Sequence, residues 1–449
     1  MPSIHDLPPE LLAHIFREAC PRNLLTSSKS AIRKILADKP LLPAVVVLSM
    51  VNVRWRGLIT STPSLWTYFE IDSVCWCEAT AYQKLMKGLQ LFLDRSRCHP
   101  LSFKWSCLPQ LSADSDAVAS YHSAAFSAVM DLLVENSRRW YDVNLTLPSK
   151  RSEIPVFAKL RGNLPILRRL ELVRICGPLA QQFRDIFTER PPKLECFRMD
   201  GGASSDALFF LSKTDQLAVE GITDFDYTGR VIEATATFLS LALEDSWEMG
   251  KVLDFCKLPN LKRLDISGVR TNTSWDQPWD VAILVSFVLR SGNGLTSLEI
   301  KFVPITDSDM ISLLQLIPTL ESLCIEEGYD EYENGGGEQN DRRNITVTTN
   351  FLERLSRSGE PLRKSGQDSN SFLPILRNLL LGVVSEGLDQ CALVNAVMSR
   401  TQAPLYDEDR KCCCLQSLRV AVRVGQDDSF QVLSSLKRLG GIEVNLFYI

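Results

Sequence analysis

The sequence predicts a mixed α/β protein, in which an N-terminal all-α helical module is followed by an irregular strand–helix solenoid. Two observations predict it. Residues 5 to 70 form an apolar block with helical spacing and proline boundaries. From about residue 140, apolar residues recur at positions n, n+3 and n+5 of a repeated unit. With 449 residues, 45% of them hydrophobic, the chain has material for roughly two to three domains.

In the first block Pro8 and Pro9 suit the first turn of a helix, where a missing N–H costs little, and Glu10 suits the same end. Leu11, Leu12, Ile15 and Phe16 follow at one-face spacing, and Cys20-Pro21 stops the element. A polar stretch from Asn23 to Ser30 leads to a short helical segment, Ala31 to Ala37, and then to a strong helix beginning near Ala44. On that helix Leu48, Val51, Trp55 and Leu58 share one face, with Arg54 and Arg56 outside it. Thr62-Pro63 ends it, and Leu65 and Trp66 follow at once. So short a block cannot bury all its apolar surface, and an exposed patch of that kind marks a partner site.

Residues 73–139 read as a connector packing on the array, as helix, strand and helix, with Leu85 to Phe92 and Ala124 to Val134 as the helical parts. Behind it stand nine units of the strand segment of a leucine-rich repeat. They begin at Trp140, Leu167, Leu194, Phe238, Leu261, Leu295, Leu320, Leu376 and Leu415, separated by 27, 27, 44, 23, 34, 25, 56 and 39 positions. Leu179 to Phe187, Val281 to Leu289 and Ile305 to Ile317 read as helices packing behind the strands. No unit has the asparagine or cysteine that a strict repeat places three residues past its last leucine, so the array is expected to be irregular. The expected domains are 1–72, 73–139 and 140–449.

Glu326 to Arg343 carries seven acidic and two basic side chains around three consecutive glycines. Such a run cannot bury a core, so 326–344 is expected to be a disordered acidic insertion. Across the whole chain, 49 basic residues nearly balance 54 acidic ones, which leaves no electrostatic footprint for nucleic acid. No apolar run reaches the ~20 residues of a membrane span, and the N-terminus does not read as a signal peptide. Thirteen scattered cysteines are then expected to be reduced, which points to the cytoplasm or nucleus.

Chemistry is absent from the pattern. Gly335 to Gly337 lacks the lysine and helix start of a phosphate loop, and His5, His14, His99 and His122 form no zinc-binding pair. Cys75, Cys77 and Cys412 to Cys414 read as structural thiols. No cofactor, metal or catalytic residue is expected, and the protein reads as a non-enzyme; an enzyme hidden between Ala203 and Thr235, where the repeat signal lapses, is a rival reading.

The stretches LPPELLAHIF, Leu7 to Phe16, and LSMVNVRWRGLITSTPSLW, Leu48 to Trp66, resemble an F-box, the adaptor-binding motif of substrate receptors in SCF-type cullin-RING ubiquitin ligases. The opening Leu-Pro, the Val-x-x-x-Trp core and the closing Leu-Trp stand in the expected order. The insert from about Pro21 to Pro43 is longer than in a compact F-box and looks like that of F-box-like proteins expanded in fungi; Asn52 stands where a cysteine is usual. The resemblance implies that Leu7, Pro8, Leu11, Leu12, Ile15, Phe16, Leu48, Val51, Trp55, Leu65 and Trp66 divide between a small core and a face for a Skp-type adaptor. It further implies a repeat region that holds an unknown target protein, and the alternative is a scaffold with no part in ubiquitination.

Overall fold

Parallel strands need a crossover of about a dozen residues or more between them, and a helix of two or three turns fills it. The spacing of the apolar triplets leaves that length. The computed structural model describes the chain apart from residues 1–3, 5–6, 21–22, 27–41, 73–78, 107–115, 148–153, 174–176, 189, 201–205, 221–230, 244–245, 269–278, 293, 328–345, 357–371, 385–387, 402–414, 424–442 and 449. The chain divides into two compact units, Met1–Thr214 and Asp215–Ile449.

The first unit runs α1 (Pro9–Ala19), β1 (Leu24–Thr26), α2 (Ala44–Ser49), α3 (Val53–Ser61), β2 (Tyr68–Asp72), α4 (Ala79–Ser96), β3 (Leu101–Ser106), α5 (Asp116–Glu135), β4 (Trp140–Thr146), β5 (Arg169–Val173), α6 (Gly177–Ile186), β6 (Cys196–Asp200) and α7 (Asp206–Leu211). Its six strands pair in chain order, all parallel.

The second unit holds β7 (Gln216–Glu220), β9 (Phe238–Leu243), β11 (Arg263–Gly268), β12 (Ser297–Lys301), β13 (Ser322–Glu326), β14 (Asn378–Val384), β15 (Ser417–Arg423) and β16 (Glu443–Tyr448), parallel and adjacent in that order. The short strands β8 (Ile232–Glu233) and β10 (Cys256–Lys257) pair separately. Between the main strands lie α8 (Ser246–Asp254), α9 (Val281–Ser291), α10 (Asp307–Gln315), α11 (Thr349–Leu355) and α12 (Gln390–Thr401). Asp280, Thr306 and Thr348 cap α9, α10 and α11 by accepting a backbone N–H inside the first turn.

Eight of the nine expected triplets are buried at all three positions, for example Leu261, Leu264 and Ile266. Each such side chain contributes about 1.5–3 kcal/mol by leaving water. The fourth triplet is displaced: Leu239 and Leu241, not Leu241 and Leu243, align with Leu264 and Ile266, so the unit is Ala236/Leu239/Leu241. A unit missed in the 44-residue gap is Thr214/Leu217/Val219, all buried, with a threonine in place of the leading leucine. The Thr214 hydroxyl donates to the Glu195 carbonyl at 2.8 Å, which satisfies it in the core.

The N-terminal region departs most from expectation. Residues 1–72 are not all-α, because β1 and β2 lie inside them. Residues 73–139 do contain helix, strand and helix, but β3 pairs with both β2 and β4 and is a full member of the sheet rather than a connector. The triplet pattern extends back to Trp66/Phe69/Ile71 and even Cys20/Asn23/Leu25, all buried. Trp66 and Trp140 lead their triplets in the same way, each indole N–H donating to the carbonyl seven residues earlier, Ile59 at 2.9 Å and Leu133 at 3.0 Å. Phe69 stacks on Phe103, and Phe103 meets Trp140 edge to face.

The helix expected from Ala44 to Thr62 is two helices. Asn52 sits extended between them, and its side chain accepts from the Trp55 N–H at 2.8 Å, capping α3 and ending the run through Met50. Of the disordered insertion expected at 326–344, Glu326 is instead the last residue of β13 and Glu327 accepts from the Thr346 and Val347 N–H groups; residues 328–344, the segment Ala31 to Ala37, Cys75, Cys77 and Cys412 to Cys414 lie outside the described residues.

Candidate docking surface

Helix α1 packs against α2 and α3. It turns Leu12 and Phe16 inward, where Phe16 meets Trp55 of α3. Pro9 at its first turn and Glu10 beside it match the expected start, and Cys20 closes it by donating its N–H to the Phe16 carbonyl. Val45 of α2 and Ile59 of α3 complete the inner face.

Asn23 ties this small core to the sheet. Its side chain is buried, donating to the carbonyls of Leu65 (3.3 Å) and Tyr68 (3.1 Å) and accepting from the Val45 N–H (3.1 Å). One side chain thus fixes α2, the turn through Leu65 and β2. A buried amide so satisfied is stabilising, whereas its removal would strand three backbone groups.

The eleven residues carried over from the resemblance separate by burial. Leu12, Phe16, Leu65 and Trp66 are core; Leu7, Leu48 and Trp55 are half-buried; Pro8, Leu11, Ile15 and Val51 are exposed. Trp66 belongs to the sheet core, edge to face with Phe92, and offers nothing to a partner.

Other exposed aliphatics occur in the same stretch of chain as the four that remain. Of the eleven large hydrophobic side chains exposed among the described residues, eight fall between residues 4 and 53: Ile4, Leu11, Ile15, Leu42, Val47, Met50, Val51 and Val53. Val53 is 81% exposed. Isolated exposed leucines are ordinary, but four of these on three packed helices, with Met50 and Val51 in the turn between two of them, are a concentration within one short segment. Ile4, Leu42, Val47, Met50 and Val53 were not legible as site residues. The available signal was the triple valine of α2, since a helix of six residues can cover only one face and consecutive valines must leave some outside.

A second surface is the outward row of side chains on the strands of the second unit. There Arg263 contacts Asp265 and Glu299, and Lys301 lies 2.7 Å from Glu299 and 3.1 Å from Glu326. Burial pulls the Lys301 ammonium down, but hydrogen bonds to Glu299 and Glu326 outweigh it and hold the group above its ordinary value. Burial likewise pushes Asp265 up against the pull of Arg263. These pairs satisfy one another within and between adjacent strands and set no base against a nucleophile.

No group of His, Cys, Asp or Glu among the described residues is placed to hold a metal ion. The Cys256 and Cys324 thiols are pushed up to about 12 by burial, which makes them poor nucleophiles. An open groove between α11 and α12 is lined by Glu353, Ser356, Asp389 and Cys391 without a positioned base. The interval Ala203 to Thr235 carries α7, β7 and β8 among its described residues. No helix among the described residues is long and apolar enough to cross a membrane. No known family model matches the chain, and no curated protein matches it.

Proposed function

We propose that this chain is a substrate-recognition adaptor of an SCF-type cullin-RING ubiquitin ligase, with F-box-like helices that dock a Skp-type adaptor and a leucine-rich-repeat-like solenoid that holds a target protein. The observation that carries the proposal is the exposure of Leu11 and Ile15 on α1, Val47 on α2 and Val53 on α3, with Met50 and Val51 in the turn between α2 and α3; all but Val47 lie in the segments that resemble an F-box. Catalysis by the chain is not needed. Tethering raises the effective concentration of target lysines near the ubiquitin-loaded enzyme of the ligase. The target would be selected by side chains along the strand faces and by inserted loops, in the cytoplasm or nucleus, without nucleic acid, membrane or cofactor.

Co-purification of the full chain with a Skp-type adaptor and a cullin tests the proposal, alongside a Leu11→Asp/Val53→Asp variant. Both sites are exposed, so the fold should tolerate the charges while a desolvated interface should not. Capture by the unmodified chain and its loss in the variant, at unchanged circular dichroism, is the expected result. Equal capture by both removes these residues from the interface. Capture of the adaptor without the cullin would favour the scaffold reading.

A further inference from the structure

The first unit pairs its strands parallel and in chain order, so the turns that enter β3, β4, β5 and β6 also lie side by side, about 5 Å from one to the next. Hydrogen bonds join each turn to its neighbour. Arg139, before β4, donates from Nε to the His99 carbonyl at 3.0 Å, and Arg138 donates from Nε to Asn163 Oδ1 at 3.3 Å, before β5. The Glu195 N–H, before β6, donates to the Arg168 carbonyl at 2.9 Å.

The charge along this edge is one-sided. Residues 94–100, 135–139, 159–168 and 190–195 hold nine lysines and arginines against three carboxylates, Asp94, Glu135 and Glu195, in a chain whose net charge is −5. Several of these cations have local duties: Arg139 also donates to the Leu93 carbonyl near the end of α4, Arg168 lies 3.3 Å from Glu195, and Lys159 lies 3.5 Å from Asp131. Arg95 sits in the last turn of α4, where a cation suits the helix end. Those duties leave Arg97, Arg161 and Lys193, which are exposed in the turns before β3, β5 and β6 and whose side chains meet no partner among the described residues. Cations in neighbouring turns act together, because the screening length at physiological salt is about 8 Å.

We infer that this edge of the first unit binds an acidic polypeptide segment laid across the strand-entry turns. The four turns span about 15 Å, a length that about five residues of extended chain cover with every second side chain on the facing side. A guanidinium presents its donors as a fork that matches a carboxylate.

The occupant's class follows from what else stands at the edge. Nucleic acid carries a charge at every step of its backbone. Glu195 beside Arg168 and Asp131 beside Lys159 would repel such a strand, whereas a polypeptide can place neutral residues against them. Single strands also need open aromatic faces to stack on. Here the Tyr141 ring is already covered by the Arg168 guanidinium, 5.5 Å from its centroid. An anionic membrane calls for apolar side chains to insert, and none of the exposed large hydrophobic residues lies in these four turns. The edge lies outside α1, α2 and α3, so this inference and the adaptor role are tested separately.

The test measures binding of a labelled peptide of alternating glutamate and serine to the full chain over a series of salt concentrations. A duplex oligonucleotide and vesicles of equal phosphatidylcholine and phosphatidylserine are run beside it. The variants are Arg97→Gln/Arg161→Gln and Arg161→Gln/Lys193→Gln, with Lys84→Gln/Lys87→Gln, exposed on α4, removing the same charge elsewhere. The expected result is peptide binding that weakens with salt, falls about 10-fold in both edge pairs and holds in the α4 pair, with circular dichroism unchanged. If one edge pair disturbs the fold, the other decides. Absence of peptide binding overturns the inference, as does an equal loss in edge and α4 pairs. Oligonucleotide or vesicles bound more tightly than the peptide and released by the edge pairs would also overturn it.

Discussion

Phe16 of α1 and Trp55 of α3 meet edge to face, with ring centroids 4.8 Å apart at 60°, while Leu11 and Ile15, each one position before a buried residue, stay in solvent. One residue step, about 100° around the helix, thus separates the side chains that hold the module from those left in solvent. Phe16→Ala should destabilise the first unit by ~3–5 kcal/mol. Leu11→Asp should leave stability within about 0.5 kcal/mol of the parent. Urea unfolding of the two variants measures both, and equal midpoints would contradict the burial pattern.

Removing residues 1–72 should damage the sheet as well as the helices. The cut deletes β1 and β2, exposes the edge of β3, and takes Phe69 from its stack on Phe103. We expect a lowered melting temperature and increased binding of a hydrophobic dye relative to the full chain. A truncated protein with unaltered melting would show that the helical block is separable, against the shared core described above.

Arg400 is buried yet satisfied, donating to the carbonyls of Leu355 (2.6 Å), Leu373 (2.8 Å) and Phe372 (2.6 Å). It therefore clasps the end of α11 to Phe372 and Leu373, which precede β14. Arg400→Met should cost about 3–5 kcal/mol because buried carbonyls lose their donor. Arg400→Lys should not restore it, since a point ammonium cannot span three acceptors. Chemical denaturation of the second unit's transition reads the effect, and a lysine variant as stable as the parent would count against the clasp.

Asp307 joins α10 to α11. Hydrogen bonds from Asn350 and Thr348, with the Ser308 N–H, hold its carboxyl below the ordinary value of 3.8. A folded pKa below the unfolded one gives stability that is present above the unfolded value and is lost as pH falls through the folded one. Asp307→Asn should therefore be less stable than the parent at neutral pH, with the difference shrinking below about pH 4. Denaturant midpoints across that range check it; a gap that widens in acid would reverse the sign.

What the sequence made legible follows from how strongly each feature is forced. Leucine-led triplets such as Leu261/Leu264/Ile266 announce themselves because the parallel strands bury one face completely. Units that open with Thr214, Ala236 or Cys20 escaped because a polar or small residue leads them; the two positions after Thr214 and Ala236 are apolar as usual, whereas Asn23 also breaks the pattern after Cys20. The break between α2 and α3 was hidden by continuous apolar spacing; it depends on the single competing acceptor of Asn52. Among the docking residues, the spacing of α1 showed which positions are apolar, but not that Leu12 and Phe16 go inside while Leu11 and Ile15 do not. That division depends on the angle at which α1 meets α3, which no local pattern encodes.

The short strand β1 ends the first run of paired strands, and an unfinished sheet edge invites unwanted partners. Because Asn23 locks this terminal strand to α2 and to the turn before β2, the same few dozen residues close the sheet edge and carry the proposed docking face. Substitutions that deform these helices must also fray that edge, so a docking face built on them could drift only through the outermost side chains, Val53 foremost.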